Sequence, residues 1–235
     1  MKKYDFLIFD LDDTLLDFQD TEIKALESLF KKYEVPFNEE SVSAYKAMNK
    51  KLWAEIEKGS LSKADLLNQR FAAFFELYEK KVDGQLAEKE YRSLLNLGHK
   101  MLDGALALLT ALKNHGYTIV AGTNGIGITQ RQRLTDAKII DFFDDLFISE
   151  EVGFEKPNTQ FFEAIFKKYP AMTKENTLMI GDSLSSDIKG ATNAGIDSVW
   201  MNPTKAPHNG IESTYEVQTL DELLALLGEE VASME

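Results

Sequence analysis

Residues 4–14 read YDFLIFDLDDT, and this short stretch decides the fold. Residues 4–9 are mostly apolar, which is typical of a strand buried in a parallel sheet. The strand ends in a dense acidic turn that contains Asp10 and Asp12. Because ligands bind beyond the carboxyl ends of the strands in open parallel sheets, this turn is the first candidate for a functional site.

The rest of the chain has a helical stretch followed by an alternating one. From about residue 17 to residue 97, apolar residues recur at the three- and four-residue spacing of amphipathic helices. Beyond residue 103, predicted strands alternate with predicted helices. These strands cover residues 117–122, 145–149, 176–181 and 197–201. The alternation predicts a doubly wound α/β fold, a parallel sheet with helices on both faces.

Two domains follow from this pattern. We expect a core domain formed by residues 1–16 together with 99–235, because these segments carry all of the predicted strands. Residues 17–98 would form a helical domain inserted after the first strand.

The composition narrows the classes of function. The chain has 235 residues, and its 39 acidic and 26 basic side chains give a formal net charge of -13. Such a surface repels polyanions, so we expect no nucleic-acid polymer as a partner. There is no cysteine, which excludes disulfides and thiolate catalysis and fits a reducing cytoplasm. No apolar run reaches the roughly 18 residues of a membrane span, so we expect a cytoplasmic protein that does not bind membranes.

Polar clusters follow the later strands as well. They read TNG at residues 123–125, EKP at residues 155–157 and GDSLSSD at residues 181–187. Because the carboxyl ends of parallel strands meet at one edge of the sheet, these clusters should converge with the acidic turn at Asp10.

This convergence would crowd the carboxylates of Asp10, Asp12, Asp182 and Asp187 into one cleft. Carboxylates so close cannot all stay ionised unless cations offset them, and these loops offer a single lysine, Lys156. A hard, oxygen-seeking cation is therefore implied. Mg²⁺ suits a few carboxylates together with a phosphate oxygen and waters, so we expect Mg²⁺ as cofactor and a small phosphorylated metabolite as substrate.

The same cleft has the groups that phosphoryl transfer needs. One carboxylate could attack phosphorus, and a second, two residues along, could protonate the leaving oxygen and later deprotonate water. The Thr123 hydroxyl and the Lys156 ammonium could stabilise charge on the equatorial oxygens. Backbone amides after Asp10 and Thr123 could bind the same oxygens; they belong to Leu11, Asp12 and Asn124.

Taken in order, these residues resemble the four motifs of the haloacid dehalogenase-like (HAD) phosphohydrolase superfamily. The first motif, D-x-D-x-T, is followed by a Ser or Thr, by a Lys or Arg commonly before Pro, and by G-D with a later Asp. Here the four motifs are represented by Asp10, Asp12 and Thr14, by Thr123, by Lys156, and by Gly181, Asp182 and Asp187.

The resemblance implies a Rossmann-like core and a role for each residue. It implies that Asp10 is the nucleophile and Asp12 the general acid/base. It further implies that Asp10, Asp182 and the backbone carbonyl of Asp12 hold Mg²⁺, with Asp187 as a ligand or directly behind the metal. The helical insert would be a cap domain that closes over the substrate and excludes water.

A finer resemblance concerns residues 181–202, which are similar to the pyrimidine 5'-nucleotidase branch of the superfamily. This favours a nucleoside 5'-monophosphate as substrate, with phosphate and a nucleoside as products. A sugar-phosphate or phosphoglycolate phosphatase and a phosphomutase share the same motifs. A phospho-accepting signalling module also combines an acidic cluster with Thr and Lys, although the Asp182 motif and the helical insert count against it.

Structural interpretations compete with some of these assignments. Asp187 lies where the first turn of a helix is predicted, and acidic residues are common there for reasons of the helix dipole alone. Asn124 belongs to a sequence typical of tight turns, and an exposed loop is the usual place for a lysine such as Lys156.

Overall fold

The computed structural model describes residues 3–232 and divides the chain into two compact units. The first unit contains Met1–Asp17 and Lys100–Glu235, and the second contains Phe18–His99. Each unit is packed separately. The first unit has two clusters of buried hydrophobic residues, and the helical second unit has one.

In the described part of the chain, the first unit has one six-stranded sheet in the order β3-β2-β1-β4-β5-β6, with every neighbouring pair parallel. The strands are β1 (Phe6–Phe9), β2 (Thr118–Thr123), β3 (Asp145–Ile148), β4 (Thr177–Gly181), β5 (Asp197–Met201) and β6 (Tyr215–Val217). The predicted parallel α/β fold is confirmed. The short sixth strand was not predicted, because three residues are too few to show a period.

Helices flank this sheet and make up the second unit. The second unit contains α1 (Phe18–Lys32), α2 (Glu39–Glu57), α3 (Lys63–Glu76) and α4 (Gly84–Leu95). The first unit contains α5 (Ala105–Asn114), α6 (Gly127–Asp136), α7 (Ser149–Val152), α8 (Thr159–Lys168), α9 (Lys189–Ala194) and α10 (Leu220–Ala232). Among the described residues, no helix has the length and apolar character needed to cross a membrane.

The apolar residues of β1 alternate between the two faces of the sheet. Leu7 and Phe9 belong to the hydrophobic core that also contains residues of α5 and α10, whereas Ile8 belongs to the core built with α8 and α9. This two-residue period follows from the pleat of a strand. Because both faces are covered, β1 reads as a continuous apolar run and is fixed firmly up to Asp10.

The second unit is held together by an aromatic core and a buried ion pair. Phe30, Tyr45 and Phe74 are fully buried, and their rings lie 5.3–6.2 Å apart in stacked or edge-on contacts. Beside them, Arg70 donates to both carboxylate oxygens of Glu88 at 2.7 and 2.9 Å. Both side chains are 5% exposed, so the Arg70 charge depends on Glu88 for compensation, while Glu88 also accepts from Arg92 at 3.0 Å.

We therefore expect Glu88→Ala to lower the free energy of unfolding by about 3–5 kcal/mol, because it leaves the Arg70 guanidinium buried without its counterion. The control is Lys24→Ala, which removes an exposed partner of Asp20 on α1 and should cost less than about 0.5 kcal/mol. Urea unfolding of both variants measures the difference. Equal losses would show that the Arg70–Glu88 pair contributes little.

Candidate active site

The site lies where the order of strand addition reverses, between β1 and its two neighbours. From β1, the chain adds β2 and β3 on one side and β4, β5 and β6 on the other. Asp10 follows β1, Thr123 ends β2 and Asp182 follows β4. The carboxyl ends of these three adjacent strands form the crevice in which doubly wound proteins bind ligands.

Three carboxylates gather at this crevice. Asp10, Asp182 and Asp187 can each present one oxygen such that all three oxygens lie within 4.8 Å of one another. Lys156 Nζ donates to Asp10 Oδ1 at 2.8 Å and to Asp187 Oδ1 at 2.6 Å, and it also donates to the carbonyl of Gly122. The lysine is 1% exposed. It is therefore a buried counterion of the carboxylates and not an exposed loop residue.

Burial and mutual repulsion dominate the electrostatics of the cluster. Burial raises the pKa of Asp10 to about 7; Lys156 opposes this shift, while Asp187 and Asp12 add to it. Burial and the neighbouring charges of Asp187 and Asp10 raise the pKa of Asp182 well above its usual range. Burial would lower the pKa of Lys156, but Asp10 and Asp187 outweigh it and raise that pKa. One lysine thus does not fully compensate these carboxylates.

The cluster fits a hard divalent cation. Its potential ligands are carboxylate oxygens, which are the donors that Mg²⁺ prefers, and they are close enough together to share one ion. A cation there would offset the charge that Lys156 leaves uncompensated. The structure brings together Asp10, Asp182 and Asp187, the three side chains that the sequence analysis placed at or directly behind the metal.

A wide helical turn after β4 brings Asp187 back to the sheet. The sequence pattern predicts one continuous helix over residues 184–194, whereas Leu184–Ile188 form a π-helical turn that precedes α9. Asp187 Oδ2 accepts from the backbone amide of Ser183 at 3.0 Å, and Ser183 Oγ caps the turn by accepting from the amide of Ser186. These bonds turn the Asp187 carboxylate towards Lys156. Turns of this type are frequent at functional sites.

Thr123 and Asn124 take up two different tasks. Thr123 Oγ1 accepts from the amide of Gly125 at 2.9 Å and from Gln130 Nε2 at 3.2 Å. The Asn124 side chain pairs with the backbone of Lys156, donating to its carbonyl and accepting from its amide at 2.8 Å each. The side chain of Asn124 therefore holds the lysine loop in place, and its backbone amide is the group that stays a candidate for phosphate binding.

Leu11 and Asp12 form the turn after β1. The carbonyl of Leu11 accepts from the amides of Leu15 and Leu16 at 2.9 Å, which folds the acidic turn back on itself. Asp12 points its carboxylate at α6, where Gln130 Nε2 donates to Oδ2 at 2.6 Å and Arg133 donates to Oδ1. The structure thus joins Asp12 to Thr123 through Gln130, while Asp10, Asp182, Asp187 and Lys156 form the neighbouring cluster.

Three residues of the site were not predicted from the sequence. Gln130 and Arg133 are each 1% exposed on α6, and Trp200 Nε1 donates to the backbone carbonyl of Asp182 at 2.8 Å. A signal for the first two was present. The sequence of α6, GITQRQRLTD, has too few apolar residues to cover a buried helix face, so some of its polar residues must be buried.

Comparison with known proteins agrees with this fold and site. The profile of the haloacid dehalogenase-like hydrolases matches residues 7–201, so the chain belongs to this family. It is 41% identical to the HAD-hydrolase YfnB of Bacillus subtilis over 97% of both chains. It is 39% identical to the pyrimidine 5'-nucleotidase PynA of Streptococcus pneumoniae over 97% of both chains. It is 34% identical to the pyrimidine 5'-nucleotidase YjjG of Escherichia coli over 96% of this chain and 98% of that one.

A crystal structure of YfnB bound to magnesium superposes with a TM-score of 0.92 at 40% identity, covering 97% of this chain and 100% of that chain. The family predicted from the four motifs is confirmed. The predicted similarity to pyrimidine 5'-nucleotidases is confirmed by the relatives PynA and YjjG.

Gly181 offers a test of how tightly Asp187 is placed. A Cβ at this position would lie 2.2 Å from Asp187 Oδ2 and 2.6 Å from Asp187 Cβ. We expect Gly181→Ala to displace Asp187 from Lys156 and to cost about 1–3 kcal/mol of stability. Gly228→Ala is the control, since Gly228 on α10 has no heavy atom near its added Cβ within 4 Å. Thermal unfolding should show a loss for the first variant alone; equal melting temperatures would contradict the close packing.

Proposed function

We propose that the protein is a Mg²⁺-dependent phosphomonoester hydrolase that acts through a phosphorylated Asp10. The observation that carries the proposal is the buried cluster in which Lys156 contacts Asp10 and Asp187, and in which Asp10, Asp182 and Asp187 can share a cation. A phosphate group would fit beside this cluster. Its oxygens could bind the metal, and its negative charge would be balanced by the metal and by Lys156.

In the first step, a carboxylate oxygen of Asp10 attacks phosphorus as the bond to the leaving oxygen breaks, and Asp12 gives that oxygen a proton. In the second step, Asp12 takes a proton from water as the water oxygen attacks phosphorus. The bond from phosphorus to Asp10 breaks, which releases inorganic phosphate, restores the Asp10 carboxylate and leaves Asp12 protonated for the next cycle. Lys156 supports this chemistry by holding Asp10 Oδ1 at 2.8 Å, which fixes the orientation of the nucleophile.

Thr123 and the backbone of the two loops would bind the phosphate oxygens. The Thr123 oxygen already accepts two hydrogen bonds, so its own proton is the group left to donate to a phosphate oxygen. The amides of Leu11, Asp12 and Asn124 follow the ends of β1 and β2 and are assigned the same task.

We assign the metal to the side chains of Asp10 and Asp182, with the backbone carbonyl of Asp12 as a further ligand and Asp187 as a ligand or directly behind it. Bound Mg²⁺ would neutralise the developing charge on the phosphate and balance the carboxylates. The crystal structure of the relative YfnB was obtained bound to magnesium, which supports this choice of ion.

We propose pyrimidine nucleoside 5'-monophosphates as the substrates. The support is the sequence similarity to PynA and YjjG, both pyrimidine 5'-nucleotidases, along essentially the whole chain. The residues gathered at the site recognise a phosphate and a metal and would accept any phosphomonoester. A sugar-phosphate or phosphoglycolate phosphatase would therefore use the same machinery.

The first experiment measures phosphate release, with Mg²⁺ and with EDTA, from nucleoside monophosphates, sugar phosphates and phosphoglycolate. We expect Mg²⁺-dependent release that is fastest with pyrimidine 5'-monophosphates. Fast release confined to sugar phosphates would keep the mechanism and replace the substrate. Release unaffected by EDTA would overturn the metal assignment. A phosphorylated protein that persists for many minutes would favour a phospho-accepting module.

Two substitutions test the assigned roles. Asp10→Asn should abolish turnover, because an amide is a poor nucleophile, and Asp182→Asn should shift activation to higher Mg²⁺ concentrations, because it removes an anionic ligand. Asp5→Asn, at the exposed start of the same segment of chain, is the control and should behave as the parent. Turnover near the parental rate in Asp10→Asn would refute the nucleophile, and an unchanged Mg²⁺ dependence in Asp182→Asn would place the metal elsewhere.

A further inference from the structure

Two buried polar residues of α6 grip the carboxylate of Asp12. Gln130 Nε2 donates to Asp12 Oδ2 at 2.6 Å, and Arg133 donates through its NH1 group to Asp12 Oδ1. The same NH1 group donates to Gln130 Oε1 at 3.1 Å. Both oxygens of the carboxylate are therefore engaged, which fixes its plane as well as its position. We call Gln130 and Arg133 the Asp12 clamp.

The clamp is a built feature and not a surface contact. Gln130 and Arg133 are each 1% exposed, whereas the side chain of Asp12 between them and the crevice is 29% exposed. Burying a guanidinium costs several kcal/mol unless it is paired well. The buried Arg133 guanidinium uses Asp12 as its counterion, and this ion pair restricts the orientation of the Asp12 carboxylate.

Gly125 makes room for the clamp. A Cβ at this position would lie 2.3 Å from Gln130 Nε2 and 2.9 Å from Gln130 Cδ. The absence of a side chain there allows the Gln130 amide to pass between the two loops. It thereby reaches Asp12 on one side and Thr123 Oγ1, at 3.2 Å, on the other.

The orientation of the Gln130 amide follows from its partners. A carboxylate can only accept, so the nitrogen of the amide must face Asp12, and its oxygen must then face Arg133. The amide therefore links a carboxylate to a hydroxyl: Asp12, the proposed acid/base, and Thr123, the proposed ligand of a phosphate oxygen.

The geometry points to Gln130 and Arg133 as positioning residues that set Asp12 in line with the leaving oxygen and tie it to the Thr123 phosphate contact. This inference rests on the proposed function. It assigns to α6 a part in catalysis, although neither residue needs to touch the substrate. Displacing a catalytic group by about 1 Å can lower the rate about 100-fold. The gain in rate from holding Asp12 in place can therefore offset the cost of burying an arginine.

The test uses the two steps of the reaction and two leaving groups. A nucleoside leaves as a poor anion that needs a proton from Asp12, whereas p-nitrophenolate leaves as a stable anion that needs none. With p-nitrophenyl phosphate, the bond from phosphorus to Asp10 should still form quickly in a variant with a displaced Asp12. The attack of water should be slow, because it needs Asp12 as base.

For Arg133→Met and Gln130→Met in Mg²⁺, we expect a burst of about one p-nitrophenolate per active site followed by a slow steady state. With a nucleoside monophosphate, kcat should fall by up to about 100-fold without a burst, and KM should change little. Arg133→Lys keeps the cation but not the planar fork and should recover part of the rate. Asp12→Asn is the reference and should lose about 10²–10⁴-fold.

The neighbouring positions of the same helix provide matched controls. Arg131 is exposed and pairs with Glu151, and Gln132 is exposed and donates to Asp136. Arg131→Met and Gln132→Met change the same residue types on α6 and should keep the parental kinetics with both substrates.

The outcomes separate this inference from the proposed function. If the parent protein releases phosphate from neither substrate, or if Asp12→Asn turns over both like the parent, the proposed function fails. If Asp12→Asn shows the burst but both clamp variants match Arg131→Met, the inference alone is wrong. If the burst and the steady-state rate with p-nitrophenyl phosphate fall to the same extent in the clamp variants, Gln130 and Arg133 have a purely structural role, which would overturn the inference. Should Arg133→Met fail to fold, Gln130→Met and Gly125→Ala, which introduce no uncompensated charge, decide the question in the same assay.

Discussion

The organising constraint of this protein is the crowding of carboxylates around one buried lysine. Lys156 touches Asp10 and Asp187, and Asp182 lies close enough to share a cation with both. Burial and the repulsion between the carboxylates raise the pKa of Asp10 and Asp182, although Lys156 opposes this shift. Such a crowded, buried cluster is costly unless further positive charge offsets the carboxylates, and the proposed Mg²⁺ would supply that charge.

The fold holds the carboxylates together against their repulsion by fixing the backbone around them. β1 is buried on both faces of the sheet and ends at Asp10, while the neighbouring strands β2 and β4 end at Thr123 and Gly181. The π-helical turn after Gly181 and the pairing of Asn124 with the Lys156 backbone then set the remaining groups. The loops have little conformational freedom, because each follows directly from a strand end or is hydrogen-bonded to another loop.

The sequence predicted those parts of the site that lie directly at strand ends. Asp10, Thr123 and Asp182 could be found because polar residues that follow a buried apolar run stand out in the pattern. Gln130 and Arg133 could not be singled out, because the polar sequence of α6 indicates that some polar residues are buried but not which ones. The π-helical turn was also not predicted. Over only five residues, an α-helix and a π-helix show the same sequence pattern, although their backbone amides donate to different carbonyls.

Asp10 and Asp12 are separated by one residue, yet they have different environments. Asp10 is 12% exposed in its side chain and pairs with Lys156 from the loop after α7, whereas Asp12 is 29% exposed and pairs with Arg133 from α6. In the proposed mechanism Asp10 is the nucleophile and Asp12 the acid/base, and these two roles need different surroundings although only one residue separates them. Two separate cationic side chains, one for each carboxylate, would keep the two proposed roles apart. A single shared cation would couple them, because any movement of Asp12 between the steps would then disturb the orientation of Asp10.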